Sequence, residues 1–351
     1  MGRHPRWPGA LILSFAAAGS AQAPAAWHDP SPHKVQIVTV DEGVKLEVLD
    51  WGGSGRNVVL LAGSGNTAHV FDEFAEKLAA FCHVYGITRR GYGVSSHPDF
   101  GYGEQRLADD VLRVIDSLKI AAPVLVGHSM AGEELTRLGD DHSDRLAGLV
   151  FLDAASDPTD WPANSPEYMV LYHKLPKQES HPGPSALDRR SYQAYRDWQI
   201  RSGEAPFPES ELRNAYETNA DGSMGNHKTS SSIHRAIGEG ALKRDYSKIS
   251  VPVLAFFAWA CTKHPRGEYA CFAHPAPQRK PEYQPKDDQE RAAMEAFDAA
   301  TEAYINRWKA NLQNAAAGVR IIDLPGANHY LFLSNEKDVL REVNTFLASL
   351  H

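Results

Sequence analysis

The sequence predicts an α/β fold: a mostly parallel, doubly wound sheet of about eight strands with a helical cap inserted into it. Three observations carry that expectation. Short runs that are apolar throughout, such as Val124-Leu125-Val126 and Leu146–Leu152, alternate with helical stretches, as strands covered on both faces do. The alternation stops near Asp157, where a polar, Pro-punctuated and aromatic-rich segment begins. It resumes at Val251–Phe257, so one sheet interrupted by a cap accounts for the chain better than two tandem domains.

The elements follow in order. Lys34–Val40 and Val44–Trp51 alternate polar and apolar residues around Asp41-Glu42-Gly43, which is the pattern of a hairpin. Val58-Val59-Leu60-Leu61 is an apolar strand that opens into the glycine-rich Ala62-Gly63-Ser64-Gly65-Asn66. A helix is expected over Val70–Ala80, then a strand over Phe81–Ile87 that ends in Arg89-Arg90-Gly91-Tyr92-Gly93, a structural turn with a local salt bridge. Leu107, Val111, Ile115 and Leu118 recur at helical spacing and predict a helix over Glu104–Leu118, with Asp109-Asp110 on its solvated face. Val124–Val126 is a buried strand, Gly127–Gly132 opens a helix, and Leu146–Leu152 is the next strand. Residues 157–248 form the cap, read as helices without a buried strand. Its aromatics (Trp161, Tyr168, Tyr172, Tyr192, Tyr195, Trp198, Tyr216) supply its own core and one or two walls of a substrate pocket. Core elements return with Val251–Phe257, a long helix over Asp288–Asn314, a strand over Val319–Leu324 and a final helix over Glu336–Leu350. The sheet domain therefore comprises 34–156 and 249–351.

Composition narrows the function classes. The 351 residues are 42% hydrophobic and carry a net charge of −8 with no basic run, which argues against nucleic acid and anionic membranes as partners. Residues 1–21 have the order of an export signal: Arg3 and Arg6, then apolar Ala10–Ala18, then small Gly19, Ser20 and Ala21. Cleavage near Ala21 makes the mature protein secreted or periplasmic, with no membrane association afterwards; the alternative is an N-terminal helix or short anchor. In an oxidising compartment Cys261 and Cys271 could close a small loop, whereas Cys82, in an apolar strand, reads as a buried free thiol. No second close pair of Cys or His completes a tetrahedral metal site, so no metal is expected.

The strongest chemical signal is Gly127-His128-Ser129-Met130-Ala131-Gly132 between a buried strand and a helix. A serine at such a junction sits on a strained turn that lifts its hydroxyl clear of the backbone. The pattern departs from G-x-S-x-G at Ala131, with Gly132 following at once. Ser129 needs a base, and His329, in Leu324-Pro325-Gly326-Ala327-Asn328-His329-Tyr330 past the last strand, lies at the same sheet edge. His128 should point away from the turn and pack or bond locally.

These motifs, together with Ala62-Gly63-Ser64-Gly65 and Arg90-Gly91-Tyr92-Gly93-Val94-Ser95, resemble the α/β-hydrolase superfamily, in the single-domain branch with a helical cap after the sixth strand. The resemblance covers about Val35 to Leu350, with the cap and 259–287 matching only by position. It implies the chain order nucleophile, acid, histidine, and an oxyanion hole from the backbone N–H groups of Met130 and Ser64, with Gly65 the alternative to Ser64. It also implies an acid after the seventh strand, yet Ala258–Pro265 contains no carboxylate. Asp153, at the end of the sixth strand in Phe151-Leu152-Asp153-Ala154-Ala155, is the acid this sequence offers; Glu268, Asp287 and Asp288 are the alternatives. Relatives that open epoxides or haloalkanes use Asp where this chain has Ser129.

The expectation is an exported serine hydrolase that cleaves a small or medium carboxylic ester with Ser129, His329 and Asp153 and with no cofactor. Two other readings remain open. An amide or peptide hydrolase of aminopeptidase type would need Glu133-Glu134 to face the pocket and hold a free amine. A ligand receptor or scaffold on the same fold needs no reaction at all. The mildly basic Lys263, His264, Arg266 and Lys280 read as a solvated loop.

Overall fold

The computed structural model describes residues 27–175, 183–202, 204–258, 262–263, 269–270, 285–315, 318–324 and 327–350. The export signal read at 1–21, Cys261, Cys271, Glu268 and Pro325-Gly326 lie outside the described residues. All elements below belong to the unit Ser31–His351.

The expected sheet is present and has eight strands. β1 (Lys34–Asp41), β2 (Val44–Gly52), β3 (Asn57–Leu61), β4 (His83–Thr88), β5 (Val124–His128), β6 (Gly148–Leu152), β7 (Val253–Phe257) and β8 (Val319–Asp323) lie in the order β1-β2-β4-β3-β5-β6-β7-β8. β1 and β2 pair antiparallel, as does β2 with β4, and every pair from β4 to β8 is parallel. Around the sheet stand α1 (Asp72–Leu78), α2 (Glu104–Leu118), α3 (Gly132–His142), α8 (Asp288–Leu312) and α10 (Glu336–Ser349); the cap supplies α4 (Pro166–Lys174), α5 (Tyr192–Ser202), α6 (Glu209–Ala215) and α7 (Ser231–Glu239), and the single turn α9 (Leu331–Ser334) precedes α10.

The strand residues explain why they form a covered sheet. Along β3, Val59 and Leu61 join the core under α2, α3 and α8, while Val58 and Leu60 join the core under α1 and α10. Both faces are dry, so a run without alternation is what burial demands. Each such Val or Leu contributes about 1.5–3 kcal/mol over its exposed state. Cys82 is buried and free as expected, and burial pushes its thiol up to about 12.

The structure departs from the sequence expectations in four places. The helix after the glycine loop begins as a tight turn at Ala68–Phe71, because the Thr67 side chain caps it, and α1 then ends at Leu78. Asp110 is buried, contrary to its assignment to a solvated face: it takes Nε and Nη2 of the fully buried Arg90 at 2.6 and 2.7 Å. A guanidinium without water requires that bidentate partner, and helical periodicity carries no sign of it. Within 157–248 a short antiparallel ribbon, Tyr216–Thr218 with Met224–His227, turns at Asp221-Gly222; the Asp-Gly pair was the available signal. Finally, α8 faces the cap as well as the sheet. Tyr168 of α4 lies 4.9 Å from Phe297 between ring centres and 2.8 Å from the Thr301 hydroxyl, and Trp161 stacks on Trp308 at 5.7 Å.

Candidate active site

The parallel strands bring their C-terminal ends to one edge, and there the chain reverses sharply twice. Ser129 follows β5 with φ +53°, in the left-handed region that a side chain adopts only under constraint. The constraint is the close packing of α3 on the chain past β6. A Cβ at Gly132, the first residue of α3, would stand 1.8 Å from the Ala154 carbonyl oxygen. Glycine is therefore required one position later than in G-x-S-x-G, and Ala131 is buried without conflict. The loop after β3 closes the other side: a Cβ at Gly63 would lie 3.0 Å from Ser129 Cβ and 2.8 Å from His128 Nδ1.

The second reversal is at Asp153, with φ +49°, directly after β6. Its backbone N–H donates to Phe256 O at 3.0 Å, and its Oδ1 accepts the Ala258 N–H at 3.2 Å. Its Oδ2 lies 2.6 Å from His329 Nδ1. The position after β7, which holds no carboxylate, thus contributes a backbone donor to the carboxylate that stands beside it. Asp287 caps the N-terminus of α8 at Glu290 N, 2.8 Å, and Asp288 is exposed on that helix beside Arg291; neither is in the group around His329.

His128 does more than pack locally. Its Nε2–H donates to the His329 carbonyl at 3.0 Å, joining the end of β5 to the histidine loop. Its ring lies 4.6 Å from His329 and 4.8 Å from Tyr330. The sequence carried no signal for this bond, which joins a strand end to a loop 201 positions further along the chain.

Ser129, Met130, Asp153 and His329 line one cavity of about 450 Å³, within the size range of small-molecule sites. Trp161, Trp308, Phe257 and Pro158 provide apolar wall, and Glu133, Arg244, Ser156 and Asn164 add polar groups. Of the expected cap aromatics, Trp161 reaches the cavity, whereas Tyr192 and Tyr195 form a separate cap core with Leu212 and Met224. Ser64 is exposed, is not among the cavity-lining residues, and has its hydroxyl 3.3 Å from His234 Nδ1.

The two acids that follow the turn are separated by the helix. Glu134 turns away and takes the Arg89 Nε–H at 2.5 Å, while Arg89 Nη2 donates to Ala62 O at 3.0 Å and so ties α3 to the loop after β3. Glu133 faces the cavity, with Oε1 3.7 Å from Arg244 Nη2. Burial raises its carboxyl to about 7.

The alpha/beta hydrolase family model matches residues 58–342 of this chain. N-formylmaleamate deformylase of Pseudomonas putida is 29% identical over 135 residues, 38% of this chain and 48% of that one. Fluoroacetate dehalogenase of a Burkholderia species is 28% identical over 163 residues, 45% and 46% of the two chains. This chain spans about half the length of the curated relatives it matches. The crystal structure of E-2-(acetamidomethylene)succinate hydrolase has the same fold, with a TM-score of 0.60 at 18% identity over 90% of this chain and all of that one.

Proposed function

The chain belongs to the alpha/beta hydrolase family, and from that premise we propose that it is an exported serine hydrolase acting on a small or medium carboxylic ester. The observation that supports the reading best is the 2.6 Å contact of Asp153 Oδ2 with His329 Nδ1 in the cavity that Ser129 also lines. In this reading Asp153 holds the proton on His329 Nδ1, so that Nε2 is the unprotonated nitrogen that takes the Ser129 proton. Ser129 Oγ attacks the acyl carbon, and the backbone N–H of Met130 receives the oxyanion together with a second N–H from the loop after β3, that of Ser64 or Gly65. His329 returns the proton to the leaving alcohol, then takes one from the water that resolves the acyl-enzyme. Two such donors are worth about 3 kcal/mol each in a dry site.

Amide cleavage is the second reading. It is supported by the position of Glu133 at the cavity and by the relative named for deformylation. Fluorophosphonate labelling of the folded protein tests both: the adduct is expected on Ser129 and absent after Ser129→Ala, and a wild-type protein that takes no label contradicts the serine-hydrolase reading. Rates on a series of esters of increasing acyl length, set against amino-acid anilides, then separate ester from amide chemistry. Export is tested by the N-terminus of the mature protein, expected at Gln22 in the periplasm or medium.

A further inference from the structure

Glu133 stands four residues after Ser129, one helical turn along, and lines the same cavity. Its side chain is 7% exposed. Among the described residues its Oε2 has no hydrogen-bond partner. A buried polar atom left without a partner costs about 1–3 kcal/mol, more when it is charged, and a donor on a bound molecule recovers that cost.

The charges around it select the donor. One guanidinium, Arg244, serves two carboxylates: Glu104 Oε2 at 3.4 Å and Glu133 Oε1 at 3.7 Å. It also donates to the Ser156 carbonyl at 3.4 Å. With both acids ionised the cluster is short of one positive charge. Glu134 adds a nearby negative charge of its own, which its partner Arg89 balances. A substrate carboxylate would add a further negative charge beside Glu133, whereas an ammonium group balances the cluster. Burial raises the Glu133 carboxyl to about 7, so an arriving cation stabilises the ionised form that binds it. The remaining wall near the candidate nucleophile is hydrocarbon and aromatic, from Trp161, Trp308 and Phe257, which suits an alkyl stem and tolerates a cation.

We infer that the cavity takes an acyl group whose alkyl chain ends in a protonated primary amine, with the Glu133 carboxylate as its acceptor. This assignment deepens the proposed hydrolase function and rests on it.

The test compares p-nitrophenyl 6-aminohexanoate with p-nitrophenyl heptanoate at pH 8, using the full chain. The two esters differ only by –NH₃⁺ in place of –CH₃. The wild type is expected to favour the amino ester by about tenfold or more in kcat/KM, and Glu133→Gln to bring that ratio down to about one. A wild type that favours heptanoate, or a ratio that Glu133→Gln leaves unchanged, overturns the inference. A second measurement needs neither turnover nor a change at Glu133. Ser129→Ala is expected to bind 6-aminohexanamide about tenfold tighter than heptanamide by calorimetry, and equal or reversed affinities overturn the amine site. Absence of a fluorophosphonate adduct on the wild type would defeat the hydrolase reading alone, because the binding comparison decides the amine site separately.

Discussion

Two non-glycine residues at the candidate site, Ser129 and Asp153, hold left-handed backbone conformations, and both stand where a buried strand of the sheet gives way to a sharp turn. Strain of about 1–3 kcal/mol at each persists because the surrounding bonds over-determine the turn. For Asp153 those bonds are the Phe256 carbonyl, the Ala258 N–H and His329 Nδ1. Asp153→Asn keeps the shape and removes the charge that, in the proposed triad, fixes the histidine tautomer. The expected result is a loss on the order of 10⁴ in kcat with a melting temperature changed by only a few degrees. The opposite outcome, a large fall in melting temperature with kcat within tenfold, would mean that Asp153 only orders the sheet edge. At this scale Ser129 and His329 were legible from their motifs. Asp153 was one of four acids left open by the sequence, with Glu268, Asp287 and Asp288, and its place beside His329 came only with the fold. The bond from His128 to the His329 carbonyl was not legible, because it joins residues 201 positions apart.

The element that sets the geometry is the junction of α3 with the end of β6. The 1.8 Å approach of a would-be Cβ at Gly132 to a backbone oxygen leaves no flexible atom to yield. Gly132→Ala must therefore push α3 off the chain at Ala154, next to Asp153. The cost is expected to be about 3 kcal/mol, read as a lowered denaturation midpoint, with kcat/KM reduced at least tenfold because the same shift moves Ser129 relative to Asp153. Ala131→Gly, by contrast, should leave rate and assembly of the turn nearly unchanged. Element boundaries followed from local pattern where the pattern was strong. α2 runs over the residues its apolar spacing predicts, Glu104–Leu118, because one face of it is continuous core. Asp110 was misread on that same helix, since the group that buries it, Arg90, arrives from another loop. The cap ribbon was missed because its strands are too short for alternation to register.

Across the whole molecule, a buried carboxylate joins the cap to the sheet edge. Glu211 of α6 is wholly buried and accepts from Asn66 Nδ2 at 2.9 Å and from the Thr67 N–H at 3.1 Å. Asn66 Oδ1 in turn accepts the Tyr330 hydroxyl at 3.0 Å, beside His329. Burial raises the Glu211 carboxyl from 4.5 to about 7. Between those values the folded form retains a proton that the unfolded chain has lost, so stability falls as pH rises through that window. At about 1.4 kcal/mol per unit the span amounts to ~3 kcal/mol. Glu211→Gln is expected to flatten this part of the stability profile, measured by urea unfolding at pH 5 and pH 7.5. An unchanged slope would contradict the assignment. His69 acts in a different window. Against the cost of burial, its bonds to Asp72 and Glu47 raise it to about 10, so its contribution is complete below 6.5 and fades as pH climbs through 10.

The sequence by itself determined the α/β class, the interruption by a cap, and the residue types at the candidate site. Each of these is written locally, in apolar runs that need two dry faces and in a strand-turn-helix that needs a small residue. Tertiary structure alone decided which acid meets His329, what His128 holds, and which member of Glu133-Glu134 reaches the cavity. Those outcomes depend on bonds between segments remote in the chain. A buried charge takes its partner from whatever segment the fold brings within about 4 Å, and no local pattern records that choice.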